Sequence, residues 1–176
     1  MSVVAVKKYK DRIEIGADSQ ITKGQNISKD NKSKLYKVGE NFSFGGVGMC
    51  AMFNIFREFS LNHLPKENTE YGWFGFISEF KSYIATIPDC PRLSISETSF
   101  IVVYNYKIFK IEDLLIREIK DFYAMGSGGD YSLAILYNGG TVEQAVKTAC
   151  ELNIYCEKPV NLITIKKEGR IKSIKK

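Results

Sequence analysis

The clearest structural signal lies at the start of the chain, where residues 2–22 read SVVAVKKYKDRIEIGADSQIT. Val3 to Val6 form a β-branched run, and Arg12 to Ile15 alternate polar and apolar side chains with a period of two. Lys10 and Asp11 stand between these two stretches. The segment therefore predicts an N-terminal β-hairpin.

Beyond this hairpin, strand and helix patterns follow one another in blocks. Residues 36–44 repeat the hairpin signal around a Gly-Glu-Asn turn and end at a pair of glycines. Apolar stripes at helical spacing then run from Met49 to Phe59 and from Trp73 to Ile84. The middle of the chain is therefore predicted to hold two amphipathic helices.

The second half of the chain repeats this arrangement. After a loop bracketed by Pro88 and Pro91, strand character returns in three stretches, 99–104, 107–111 and 114–116. Residues 122–125 lead into a glycine-rich turn at 126–129, and a helix is expected over 131–137. The sequence at 141–144, Thr-Val-Glu-Gln, is a capping box that begins another helix. Residues 161–165 and 171–174 are predicted to close the chain as strands.

The order of these elements indicates an α+β fold. Strands gathered in separate runs favour two antiparallel sheets, and each sheet needs a helical layer outside it if both faces are apolar. We therefore expect a four-layer α/β/β/α sandwich, in which two antiparallel sheets are flanked by helix pairs. A chain of 176 residues fits a single domain, which spans 1–176.

Composition and charge restrict the class of protein. Hydrophobic residues make up 44% and charged residues 26% of the chain, as in ordinary folded soluble proteins. No apolar run approaches the roughly 20 residues that cross a bilayer, and the N terminus lacks the form of a secretory signal. We expect a cytoplasmic protein without a membrane partner. The net charge of +5 is concentrated near the C terminus without interleaved aromatic residues, so a solvated strand is favoured over a nucleic-acid partner.

Cysteine and histidine usage limits the available chemistry. The four cysteines form no Cys-x-x-Cys pair, which argues against a disulfide framework or a tetrathiolate zinc site and favours reduced, mostly buried thiols. His63 is the single histidine, which disfavours a Ser-His-Asp triad and a histidine-rich metal site. We expect no metal and no cofactor, so a hydrolase of this sequence would need another base.

An N-terminal serine could provide that base. The α-amino group, with an ordinary pKa of about 7.7–8.0, can activate the hydroxyl of its own residue when a chain begins with Ser, Thr or Cys. Ser2 would meet this condition once Met1 is removed, and a small second residue favours removal. Taken alone, however, a serine at position 2 is common and carries little weight.

Five stretches strengthen this hypothesis. They are residues 2–8, Ile15-Gly16-Ala17-Asp18-Ser19-Gln20-Ile21-Thr22, Lys34, Gly45-Gly46-Val47-Gly48 and Gly126-Ser127-Gly128-Gly129. Together they resemble the N-terminal nucleophile hydrolases of the proteasome β-subunit and HslV class. The resemblance covers essentially the whole chain, including its length and its order of elements.

The resemblance implies a catalytic set that begins with Ser2 as nucleophile, Asp18 as aspartate and Lys34 as essential lysine. Lys34 would favour deprotonation of the Ser2 hydroxyl and amine, and Asp18 would hold the lysine ammonium in place. Each residue also has a plainer interpretation: Asp18 could cap a turn at a strand end, and Lys34 could be a surface lysine. Serine stands where the family has threonine, and an alignment shifted by one residue would place Met1 at the nucleophile. The ungapped alignment is preferred because it keeps Asp18 and Lys34 in register.

The resemblance implies four further positions. Gly46 would offer a backbone N–H to the oxyanion, a donor type whose loss costs roughly 10²–10³ in rate. Ser127 would form a hydrogen bond near the N-terminal amine. Asn153 and Cys156 align with an auxiliary aspartate and serine, from which this chain departs. The alternatives are a sharp turn at Gly46 and either a turn or an anion-binding nest at 126–129.

The activity implied by the resemblance is that of a threonine-peptidase-like endopeptidase, with Ser2 as nucleophile and unfolded proteins or peptides as substrates. The chain would form a homo-oligomeric ring as the proteolytic subunit of a self-compartmentalising ATP-dependent protease, with an AAA+ unfoldase as a candidate partner. One alternative is a catalytically silent structural or binding subunit with the same fold, which retention of Met1 would favour. A small-amide hydrolase of the wider superfamily is a further alternative.

Overall fold

The structure, a computed structural model, describes residues 2–23, 26–28, 33–88 and 94–167. Predictions that involve Met1, Cys90, Pro91 and the strand at 171–174 lie outside the described residues.

The described residues form strands and helices in the predicted order. The strands are β1 Val3–Lys8, β2 Arg12–Ala17, β3 Ile21–Lys23, β4 Asn26–Ser28, β5 Leu35–Lys37, β6 Phe42–Val47, β7 Ser99–Tyr104, β8 Lys107–Glu112, β9 Leu115–Ile119, β10 Phe122–Gly126 and β11 Asn161–Lys166. The helices are α1 Cys50–Asn62, α2 Glu70–Ala85, α3 Gly129–Tyr137 and α4 Val142–Leu152, and a short 3-10 turn covers Ile95–Glu97. The hairpin of β3 and β4 was not predicted.

Two antiparallel sheets contain most of these strands. The first has the order β10-β1-β2-β11 and the second the order β5-β6-β7-β8-β9, while β3 and β4 pair only with each other. The facing sides of the two sheets share a buried core that includes Val4, Ile15, Ile101 and Val103. The predicted pair of antiparallel sheets is therefore confirmed.

Helix pairs cover the outer faces of both sheets. An aromatic core that includes Phe44, Phe56, Trp73 and Phe100 joins α1 and α2 to the second sheet. A smaller core that includes Val146 joins α3 and α4 to the first sheet. The α/β/β/α sandwich is therefore confirmed, and no helix in the described part of the chain has the length and apolarity needed to span a bilayer.

Strand β1 is buried on both faces. Val4 and Val6 contact the core between the sheets, whereas Val3 and Ala5 contact the core beneath α3 and α4. Because successive side chains of a strand point to opposite faces, such a strand reads as a continuous apolar run without alternation. This packing fixes the start of β1, and with it Ser2, inside the sandwich.

The second half of the chain follows the predicted helix signals closely. Thr141 and Gln144 form both hydrogen bonds of a capping box at the start of α4, at 2.9 Å and 3.2 Å. Helix α3 begins at Gly129, two residues before the predicted start. Strand β9 runs from Leu115 to Ile119 and is longer than predicted.

The described cysteines are free thiols. Cys156 is buried, whereas Cys50 and Cys150 are half-buried. The prediction of mostly buried thiols therefore holds only for Cys156 among these residues.

Candidate active site

Asp18 organises the cluster at the end of β2. Its side chain is fully buried, and its Oδ1 accepts hydrogen bonds from the Val3 N–H at 2.8 Å and from the Lys34 ammonium at 2.7 Å. Its Oδ2 accepts from the Gln20 N–H at 3.0 Å and from the Glu157 N–H at 3.4 Å. The carboxylate therefore caps the turn after β2 and also pairs with Lys34, so the contact that each sequence interpretation of Asp18 expected is present.

Lys34 is a buried cation. It precedes β5, and its side chain is only 2% exposed in the ion pair with Asp18. The interpretation of Lys34 as a surface lysine is wrong. A charge removed from water requires a partner of opposite charge, and Asp18 provides it.

Ser2 is held through its main chain on both sides. Its N–H donates to Ser127 Oγ at 3.1 Å, and its carbonyl accepts from Ser127 Oγ and from the Gly128 N–H, both at 3.3 Å. Gly126, with φ +94°, permits this approach, because a Cβ there would lie 2.2 Å from the Ser2 carbonyl oxygen. The glycine-rich turn at 126–129 therefore clamps the residue that precedes Val3.

Asn153 and Cys156 support Ser127 from the end of α4. Asn153 Nδ2 donates to the Ser127 carbonyl at 2.7 Å, and its Oδ1 accepts from the Tyr155 N–H at 2.9 Å. Burial raises the pKa of the Cys156 thiol to about 11, with Asp18 acting in the same direction and a hydrogen bond with Ser127 opposing it. Both auxiliary residues thus lie against Ser127, and this thiol stays protonated at neutral pH.

Cys150 lies in the same region. Burial raises the pKa of its thiol to about 12, and the nearby Asp18 and Cys156 add to the effect. A protonated thiol is a poor nucleophile, so neither of these cysteines is activated for nucleophilic attack.

Gly46 does not fit the oxyanion role that the sequence resemblance implied. It is buried within β6, where its N–H donates to the Lys34 carbonyl at 3.1 Å. A Cβ at this position would lie 2.4 Å from the Phe53 ring, so packing requires the glycine. The assignment of Gly46 as an oxyanion donor is therefore wrong, because strand pairing already uses its N–H.

Gly48 stands in a different position on the same segment. It follows the end of β6, is exposed, and has φ +117°. Within the described ranges no hydrogen-bond acceptor is found for its N–H. The preceding residue, Val47, lies beside Gly126, because a Cβ on that glycine would come within 3.1 Å of Val47 Cγ1. The sequence shows several glycines in this segment, but it does not show which of their N–H groups lies outside the hydrogen bonds between strands.

A cavity of about 230 Å³ adjoins the buried lysine. Its lining residues are Ile21, Ser33, Lys34, Tyr36, Cys50, Ala51, Phe53 and Asn54. At one side of it Tyr36 Oη donates to Asn54 Oδ1 at 3.3 Å. Sequence reasoning missed this cavity, since its walls come from β3, the start of β5 and the first turns of α1. A larger cavity, of about 360 Å³, lies between residues 64–67 and α2 and includes none of the clustered residues.

The structure thus gathers Ser2, Asp18, Lys34 and Ser127 into one network, with Asn153 and Cys156 behind it. In the part of the chain that the structure describes, no three His, Cys, Asp or Glu side chains are grouped as metal ligands would be.

Comparison with known proteins gives matches in structure only. No family model and no curated protein sequence matches the chain. The structure of BPH from Thiobacillus denitrificans in complex with epoxomicin matches with a TM-score of 0.83 and 20% identity, over 95% of this chain and 100% of that one. Eukaryotic HslV from Trypanosoma brucei matches with a TM-score of 0.69 and 17% identity, over 93% of this chain and 99% of that one. The chain therefore has the HslV-type fold that its sequence predicted.

Proposed function

We propose that this chain is an endopeptidase in which Ser2, after removal of Met1, is the N-terminal nucleophile. The observation that carries the proposal is that one buried carboxylate oxygen, Asp18 Oδ1, binds both the Val3 N–H and the Lys34 ammonium. Val3 is bonded covalently to Ser2, so this oxygen fixes the first residue of the mature chain relative to a buried cation. The cluster would thus combine a nucleophile, the Ser2 hydroxyl, with a base, the Ser2 amine, and a positive charge, the Lys34 ammonium.

Removal of Met1 would convert the Ser2 nitrogen from an amide into an amine, which is a base. Ser127 Oγ, 3.1 Å from this nitrogen, would orient it. The amine takes the Ser2 hydroxyl proton while Oγ attacks the peptide carbonyl carbon, and it then passes that proton to the leaving amine. The resulting ester is hydrolysed by water with the same amine as base.

Lys34 would assist this proton transfer. Its positive charge stabilises the developing alkoxide of Ser2 and disfavours the protonated form of the neighbouring amine. The carboxylate of Asp18 allows the lysine to remain charged in a buried position. The two residues therefore act as a unit.

For the oxyanion we propose the Gly48 N–H in place of Gly46. Such a donor must point to the position at which negative charge develops, and it must be free of other hydrogen bonds. Gly48 is exposed at the end of β6, whereas the Gly46 N–H is used by the Lys34 carbonyl.

The substrate is proposed to be an unfolded protein or a peptide. The cavity of about 230 Å³ shares Lys34 with the catalytic cluster, so it can receive the side chain next to the scissile bond. Ile21, Ala51 and Phe53 give it apolar walls, and none of the described residues that line it is acidic. Medium-sized apolar side chains therefore fit this cavity better than basic ones.

We also propose self-assembly into a ring that encloses the site. An endopeptidase open to its surroundings would cleave any unfolded chain, and symmetric assembly prevents this. Exposed apolar side chains on α1, α2 and the segment between them, among them Leu64, Tyr71 and Phe74, supply surface that association would cover. An AAA+ unfoldase remains a candidate partner of such a ring.

The second candidate is a catalytically silent subunit. It is favoured by the burial of Ser2, which is 5% exposed in the chain that carries Met1. The two candidates differ in whether Met1 is removed, which would free the amine of Ser2.

Intact mass of protein produced without an N-terminal tag tests the first step, since a mature chain must have lost one methionine. Hydrolysis of a fluorogenic peptide with an apolar residue before the reporter tests the second. Ser2→Ala should abolish hydrolysis, whereas Ser2→Thr should retain it, and Ser78→Ala, at a half-buried serine of α2 outside the cluster, is the matched control. Fully retained Met1 together with no hydrolysis would favour the silent subunit. Epoxomicin, the compound bound to the T. denitrificans protein, should block the activity of the native chain.

A further inference from the structure

The β7–β8 turn carries a tyrosine in a backbone conformation that bulky residues rarely adopt. Asn105 has φ 44° and Tyr106 has φ 62°, so both central residues of this hairpin are left-handed. Such turns favour glycine at the second position, and a large side chain there is strained. The surroundings of Tyr106 must therefore hold it in place.

Lysine and backbone groups surround this tyrosine. Its hydroxyl donates to the Tyr9 carbonyl at 2.9 Å, and the Lys8 ammonium donates to the Tyr106 carbonyl at 2.9 Å. The Lys8 ammonium also lies 4.8 Å from the centroid of the Tyr106 ring, and that of Lys167 lies 5.5 Å from it. Two cations are thus assembled around one aromatic ring.

A cavity of about 220 Å³ opens beside this ring. It is lined by Asn41, Asn105, Tyr106, Ile165, Lys166 and Lys167. Lysine ammonium groups are hydrogen-bond donors only, and the Asn105 amide offers two further donors. The walls of the cavity are therefore rich in donors and carry positive charge.

No described carboxylate forms an ion pair with these lysines, although Glu118 interacts electrostatically with Lys8 from farther away. Arg12 is paired with Asp11 at 3.1 Å and with Glu14 at 2.7 Å, so these nearby acids already have a partner. Among the described residues, no carboxylate lies within 4.0 Å of the ammonium groups of Lys8, Lys166 and Lys167. The Lys167 N–H donates to the main-chain carbonyl of Asp11. This hydrogen bond fixes the backbone of Lys167 at the cavity and leaves its ammonium charge unpaired by the Asp11 carboxylate.

We propose that this cavity is a binding site for a phosphate or polyphosphate group. Lysines without a close carboxylate partner, together with the amide of Asn105, match the charge and the acceptor oxygens of such a group. The site is separate from the catalytic cluster: Ser2 precedes β1 and Lys8 ends it, which at about 3.3 Å per residue separates them by roughly 20 Å. The proposal does not depend on the peptidase activity.

Isothermal titration of the full-length protein with sodium tripolyphosphate tests the proposal, at constant ionic strength set by chloride. The native chain should bind one equivalent per chain, and Lys166→Ala/Lys167→Ala should weaken binding at least tenfold. The matched control is Lys66→Ala/Lys81→Ala, which removes the same charge from residues outside the cavity lining and should change the affinity less than twofold. Equal weakening by both double variants would reduce the effect to net charge and overturn the proposal, as would no binding to the native chain.

A second variant separates recognition from folding. Asn105→Gly removes the side-chain amide but keeps a residue that accepts the left-handed conformation, so it should weaken binding while thermal unfolding stays unchanged. Titrations with inorganic phosphate and with ATP distinguish the sources of the group. Affinity for ATP equal to that for tripolyphosphate would assign recognition to the phosphate chain alone. If addition of tripolyphosphate changed the amide chemical shifts of residues around Ser2 and of none near Tyr106, this location would be contradicted.

Discussion

Replacement of Lys34 by Met should destabilise the fold as well as remove activity. The substitution keeps the length of the side chain but leaves the Asp18 carboxylate, fully buried, without its cation. Loss of one partner from a buried ion pair costs about 3–5 kcal/mol. Three backbone N–H groups, those of Val3, Gln20 and Glu157, still donate to this carboxylate, so the lower end, about 3 kcal/mol, is expected.

For a chain of this length each 1 kcal/mol corresponds to about 2–4 °C in Tm, so Lys34→Met should lower Tm by about 6–12 °C. Circular dichroism during thermal and urea unfolding measures the change, at equal protein concentration because assembly also shifts Tm. Lys81→Met is the matched control, since its pair with Asp113 has a similar length, 2.8 Å against 2.7 Å, but both side chains are about two-fifths exposed, at 41% and 43%. The control should cost about 0–1 kcal/mol. Equal effects of the two substitutions would refute the claim that burial of the Asp18–Lys34 pair governs its energy.

Four further predictions follow from the cluster and from the proposed function. Ser2→Ala should abolish hydrolysis of a fluorogenic peptide and leave Tm almost unchanged, and unchanged turnover would place the nucleophile elsewhere. Gly46→Ala should lower stability by about 1–3 kcal/mol in urea unfolding, because its Cβ would lie 2.4 Å from the Phe53 ring, whereas Gly39→Ala, with nothing within 4 Å, should not. Initial rates of peptide hydrolysis measured from pH 5 to 10 should rise with pH, with an apparent pKa at or below the ordinary amine value of about 7.7–8.0. Lys34→Met should raise the apparent pKa of any residual activity, and an apparent pKa near 4 would indicate a carboxylate base. Light scattering should show a ring-sized assembly, and a stable monomer at micromolar concentration would contradict the enclosed site.

The fold could be predicted because its periodicities are unusually clear. The continuous apolar run at Val3–Val6 reflects a strand buried on both faces, and the Thr141–Gln144 capping box marks the start of α4. The β3–β4 hairpin was missed because its strands have only three residues each and contain no sustained alternation. Short, polar strands give little signal above that of a loop.

The candidate site was predictable in composition but not in hydrogen bonding. Asp18 and Lys34 are 16 residues apart in sequence, and only the three-dimensional structure shows that they meet in a buried pair at 2.7 Å. The choice between Gly46 and Gly48 depends on which N–H strand pairing uses, and sequence does not contain that information. The cavity beside Lys34 is formed by segments that are distant in sequence, so no local pattern could indicate it.

The central position of β1 affects the order in which the protein can fold during synthesis. Its neighbour β2 follows at once, but its other neighbour, β10, spans residues 122–126, and the Asp18 carboxylate also binds the N–H of Glu157. Contacts between residues so distant in sequence form late, since closing a long loop costs entropy before any contact repays it. A chain still on the ribosome would therefore hold β1 with one edge unpaired, a hazard for aggregation, and with the Ser2 main chain not yet held by the turn at 126–129. If Ser2 is the nucleophile, as proposed, proteolytic competence would arise only when nearly the whole chain has been made, which would protect other nascent chains from a half-built enzyme.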